Sequence, residues 1–218
     1  MEVGTDRGLF YWYTYYMIIE VDEYKNRVEG YNASRSEDFH EESGKLADKD
    51  FIDCLKSKKY KRIILMAGGT ASGKTEFARL YLNSKDMLVY DGTLKKFNGF
   101  KVKTDRIKKY CKRKSSVKII LIIPYSWEKA FDAFLGRERK MNINTFFSTQ
   151  TQSKRTVARI LMETKVRVEI FVSLVKEGEG SLSFLKIKDT RLKKAKLLEK
   201  LADNIEKISV DKGFEINQ

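Results

Sequence analysis

Arg62-Ile63-Ile64-Leu65-Met66-Ala67 runs directly into Gly68-Gly69-Thr70-Ala71-Ser72-Gly73-Lys74-Thr75, and an amphipathic stretch follows from Lys74 to Leu82. The apolar run reads as a fully buried strand, and Phe77, Ala78, Leu80 and Tyr81 recur at helical spacing. The eight residues between them fit the phosphate-binding loop pattern. Glycines let the backbone curl until successive N–H groups face a phosphate, and the helix that follows adds its positive N-terminal end. In that arrangement Lys74 reaches the β- and γ-phosphates, and the Thr75 hydroxyl is placed to coordinate magnesium. The loop residues Gly68, Gly69, Thr70, Ala71, Ser72, Gly73, Lys74 and Thr75 therefore predict a nucleotide site for ATP or GTP with Mg2+.

Working outward, the pattern alternates. A short helix is expected at Asp50 to Lys58, a second strand at Met87 to Tyr90, a helix at Thr104 to Lys112, and the most apolar strand at Val117 to Ile123. Such alternation predicts a parallel sheet with right-handed crossovers. A helix at Trp127 to Leu135, a basic segment at Gly136 to Lys140 and a long polar helix around Thr145 to Glu163 come next. Val166 to Val175 and Ser181 to Ile187 read as a hairpin about the turn at residues 176–180. Thr190 to Ile208 reads as a last helix with one apolar face. The fold class is thus α/β, a P-loop NTPase-type parallel sheet flanked by helices over residues 51–218. Residues 1–50 read as an N-terminal appendage, first β-rich and aromatic, then polar from Asn32 to Lys49.

The 218 residues suffice for one sizeable core. Cys54 and Cys111 show no metal-ligand spacing and read as free thiols of a reducing, cytoplasmic protein. The apolar run Leu9 to Val21 is too short for a membrane span and too rich in Tyr and Trp, so no membrane partner is expected. A net charge of +14 invites nucleic acid. The basic residues, however, are spread over Lys56 to Arg62, Arg106 to Lys118 and Arg191 to Lys200, without interleaved aromatics for base stacking. The single histidine, His40, lies in an acidic, loop-like stretch and is not expected to be catalytic.

Asp91 stands at the carboxyl end of the second strand, the edge where open α/β sheets bind ligands. A carboxylate beside the γ-phosphate can accept the proton of an attacking hydroxyl, so Asp91 is the candidate general base, with magnesium orientation or a turn with Gly92 as its other readings. The third strand ends in Ile122-Ile123-Pro124-Tyr125 without an acid, which favours a small kinase over a motor ATPase. Arg137, Arg139 and Lys140 are placed to form a lid over the transferring group, with Arg155 and Arg159 in reserve.

This combination resembles the zeta toxin family of kinases over roughly residues 60–190: phosphate loop, strand-end Asp91, the Val117 to Ile123 strand leading into Trp127-Glu128-Lys129-Ala130-Phe131-Asp132, and a Gly-Arg-rich lid. The resemblance implies phosphorylation of a hydroxyl on a nucleotide-activated amino sugar such as UDP-N-acetylglucosamine, with ATP or GTP as donor. It also implies an antitoxin-like protein partner. By the same resemblance Lys74 and Thr75 take the nucleotide and magnesium roles, Asp91 is the base, and Arg137 and Arg139 are lid arginines. The chain departs from the family pattern after the base, with Gly92, Thr93, Leu94, Lys95 and Lys96 in place of an acid and an arginine. A polynucleotide 5′-hydroxyl kinase and a nucleotide-binding interaction module without transfer activity remain open beside it.

Overall fold

The apolar run that leads into the glycine-rich loop becomes an interior strand of a six-stranded sheet. The computed structural model describes residues 17–57, 59–111, 116–137, 141–175 and 181–214. In chain order the elements are β1 (Met17–Glu20), α1 (His40–Lys56), β2 (Arg62–Ala67), α2 (Lys74–Tyr81), β3 (Met87–Asp91), α3 (Phe97–Tyr110) and β4 (Ser116–Pro124), then α4 (Trp127–Leu135), α5 (Ile143–Glu163), β5 (Arg167–Val175), β6 (Leu182–Lys186) and α6 (Arg191–Asp211). The sheet order is β1-β3-β2-β4-β5-β6, parallel throughout except for β6, which pairs antiparallel with β5.

Strand side chains alternate between two buried layers, as the period of two requires. Ile63, Leu65, Ala67, Leu88, Tyr90, Ile119, Leu121 and Ile123 face a large core closed by α1, α3, α5 and α6, through Phe51, Phe100, Ile107, Val157, Ile160 and Leu198. Ile64, Met66, Val89, Ile120 and Ile122 face the other way, onto Phe77 and Ala78 of α2. A third cluster, Ala130, Phe134, Phe146 and Phe147, joins α4 to α5, and Ala71 of the glycine-rich loop packs against it.

The strand before the loop falls at the expected residues, and the helices expected over residues 127–135 and 145–163 lie within α4 and α5. The expected hairpin forms between β5 and β6, while its turn at residues 176–180 lies outside the described residues. The N-terminal reading changes most. Met17–Glu20 is an edge strand of the same sheet, paired with β3, and the polar stretch ending at Lys49 is largely the helix α1. The boundary expected at residue 50 therefore runs through a helix. Its buried face is Ser43, Ala47, Phe51 and Leu55, spaced by four. The first two are small and hardly apolar, so a hydrophobicity pattern passes over them. Residues 1–16, which hold most of the expected aromatic β segment, lie outside the described residues. The helix α3 also begins earlier than expected, at Phe97.

Candidate active site

The loop between β2 and α2 has the backbone that its glycines permit. Gly73 caps α2 in the left-handed region at φ +84°, and Gly68 has φ +138°. A Cβ at Gly68 would come within 2.5 Å of the Ile122 carbonyl oxygen and 2.8 Å of Ser72 Oγ. That second atom is buried and has no hydrogen-bond partner among the described residues. A curled loop at a helix N-terminus that leaves a buried hydroxyl unanswered fits an oxyanion ligand such as a nucleotide phosphate. Lys74 curls back over the loop, its Nζ donating to the Gly69 carbonyl at 2.8 Å. Burial pulls its ammonium below the usual lysine range, against the opposing pull of Asp91.

Asp91 closes β3 beside the loop, 6% exposed, and accepts a 2.7 Å hydrogen bond from Thr75 Oγ1. Hydroxyl and carboxylate are thus adjacent oxygen donors, the pairing a magnesium ion takes between phosphate loop and strand end. Burial pushes the Asp91 carboxyl above its ordinary range, although Lys74 and the Thr75 hydrogen bond draw it back. No group of three or more His, Cys, Asp or Glu side chains among the described residues is arranged to hold a metal by protein ligands alone.

A cleft of about 750 Å³ lies over the loop, lined by Thr70 to Glu76, Asp91 to Lys96 and Arg137. Its far wall comes from the N-terminal segment: Glu20 at the end of β1, Asp22 and Glu23 just beyond it, and His40, Lys45 and Asp48 of α1. The histidine expected in a loop therefore opens a helix and lines the cleft. Asp22 is held by Lys25 at 3.3 Å; the Lys25 side chain is buried and also donates to Ser36. Asp48 accepts from Tyr90 at 2.8 Å and from Lys103 and Arg106 at 3.2 and 2.6 Å, tying α1 to β3 and α3. Among the described residues Lys95, Lys96 and Arg137 line the cleft on the side of the loop after β3 and of the segment after α4, without an ion-pair partner, while Glu20, Asp22 and Glu23 line the opposite wall.

Of the expected site residues, Lys74, Thr75, Asp91 and Arg137 come together around this cleft, while Arg139 and Lys140 lie outside the described residues. The two arginines held in reserve do not reach it. Arg155 pairs with Asp203 and Glu206 of α6, and Arg159 pairs with Glu163 and stacks over Phe97. Two groups escaped the sequence reading. One is the N-terminal wall with Asp22. The other is the set of α5 side chains that hold the loop from behind: Thr149 Oγ1 accepts from the Thr70 N–H at 3.1 Å, and Gln150 Nε2 donates to the Thr70 carbonyl at 2.8 Å. Polar residues at stripe positions between Phe146 and Val157 were the available signal. Comparison with protein-family models and with curated proteins returns no match.

Proposed function

We propose that the protein is a P-loop kinase of the zeta toxin kind, moving the γ-phosphoryl group of ATP or GTP to a hydroxyl of a small molecule such as a UDP-amino sugar. The observation that carries this reading is the Thr75 Oγ1 to Asp91 Oδ2 hydrogen bond within a cleft shared with Lys74 and the loop backbone. When bound, a magnesium nucleotide supplies the transferable phosphoryl group and offsets its charge. Thr75 and Asp91 are the residues that would hold the metal. Lys74 and the first N–H groups of α2 bind the phosphates. The Asp91 carboxylate, at the strand end beside the loop, is the group available to take the proton of the acceptor hydroxyl. Lys95, Lys96 and Arg137 suit an acceptor that itself carries phosphate, and Arg137 adds positive charge toward the transferring group.

The test is transfer of label from γ-labelled ATP or GTP with magnesium, offering a UDP-amino sugar in one reaction and a 5′-hydroxyl oligonucleotide in another. Label on the sugar nucleotide is expected. Lys74→Ala should abolish it, and Asp91→Asn should lower turnover by about a hundredfold, the scale of losing a general base. Label on the oligonucleotide would instead make the protein a polynucleotide kinase. Nucleotide binding with label on neither acceptor would leave a binding module.

A further inference from the structure

The buried stripe of α5 is broken by polar side chains, and one of them is a fully buried lysine. Lys154 is 1% exposed, and its Nζ donates to the Gln150 carbonyl at 2.9 Å and to Gln150 Oε1 at 3.0 Å. The other end of the same amide donates to the Thr70 carbonyl, while Thr149 takes the Thr70 N–H. Both main-chain groups of one loop residue are thereby held from α5, and the line of contacts ends on a buried amine.

Two acceptors match the two N–H bonds of a neutral amine; the third donor of an ammonium finds no acceptor among the described residues. Nor does a carboxylate face it. From the loop comes Lys74, which repels it; on α5 itself Arg155 and Arg159 turn to Asp203, Glu206 and Glu163. The connection between β3 and α3 offers α5 a backbone carbonyl, that of Lys95 to Thr156. Burial, with Lys74 adding to it, pulls the amine down to about 7. A buried lysine with neutral partners is costly when charged unless an anion lies close by.

Resting on the nucleotide-binding part of the reading above, we propose that Lys154 is a positioning residue for the phosphate loop: it sets Gln150 to clasp Thr70, and a polyphosphate seated in the loop draws a proton from solvent onto it. The anion and the buried ammonium then stabilise each other across a poorly screened interior.

The probe is Mg-ADP, which binds without transfer. Calorimetry in two buffers of different ionisation enthalpy should show proton uptake by the wild-type protein near pH 8, with affinity falling by up to about tenfold per pH unit above neutrality. Lys154→Met should lower that uptake and flatten the pH dependence, its fold being checked by thermal melting. Because the Lys74 ammonium is also pulled down by burial, the difference between the two proteins is what counts. Undiminished uptake in Lys154→Met, or none in the wild type, would overturn the proposal; the wild-type arm needs no variant to fold. Failure to bind Mg-ADP at all would remove both this proposal and the nucleotide site. Proton-linked binding with no transfer to any acceptor would leave Lys154 in its role and remove the kinase.

Discussion

Neighbouring glycines of the loop are required for different reasons, and substitutions separate them. A Cβ on Gly69 would lie 2.3 Å from Gln150 Cδ, a flexible side chain that can move. Gly69→Ala should therefore leave the protein folded but push Gln150 off Thr70, weakening Mg-ADP binding by roughly tenfold or more, since a loop displaced by even about 1 Å loses much of its effect. At Gly68 the neighbour is the Ile122 main-chain carbonyl at 2.5 Å, and the backbone is at φ +138°. Nothing there can yield, so Gly68→Ala should cost more than about 2 kcal/mol in a denaturant titration.

Among elements, β4, β5 and β6 are cross-linked by one carboxylate. Glu169 on β5 accepts from Lys118 on β4 at 3.2 Å and from Lys186 on β6 at 2.9 Å, and Arg167 joins it on the same strand. Burial acts to raise its pKa, but Lys186 and Lys118 outweigh that and hold it at about 2. A carboxylate depressed in the folded state stabilises above its unfolded pKa, and the gain is lost as pH falls toward the folded value. Glu169→Gln should cost about 2 kcal/mol at neutral pH, with the two melting curves converging as pH falls toward 2. Such cross-strand pairing is invisible in a sequence, because it depends on register. The strands themselves were legible, since Ile63 to Ala67 and Ile119 to Ile123 are apolar on both faces, the pattern of a parallel sheet covered on both sides. The loop and strand-end Asp91 were legible because local order fixes them. The α5 clasp was not: Gln150 and Lys154 belong to a helix that reads as long and polar, and only the fold places Gln150 against Thr70, 80 residues away in the chain, with Lys154 behind it.

For the whole molecule, the N-terminal segment decides whether the rest can stand. Ile19 and Ala47 are fully buried in the main core, and β1 covers the outer edge of β3. A chain starting at residue 51 should therefore fail to give a cooperative melt and should aggregate through the bared strand, which light scattering would report. No helix among the described residues is long and apolar enough to cross a membrane. The charge of +14 gives a further discriminator: steep salt dependence in binding single-stranded oligonucleotides would speak for a nucleic-acid acceptor, and a flat response against it. The register of Ile18 with Val89 also orders events in time. During synthesis β1 leaves the ribosome before β3, and this partner strand follows only after the whole glycine-rich loop and α2 have emerged. That pairing closes a long stretch of chain, which makes it a slow step. A nascent chain can thus have its glycine-rich loop complete while the far wall of the cleft is still unattached, and the cleft is whole only when β1 docks.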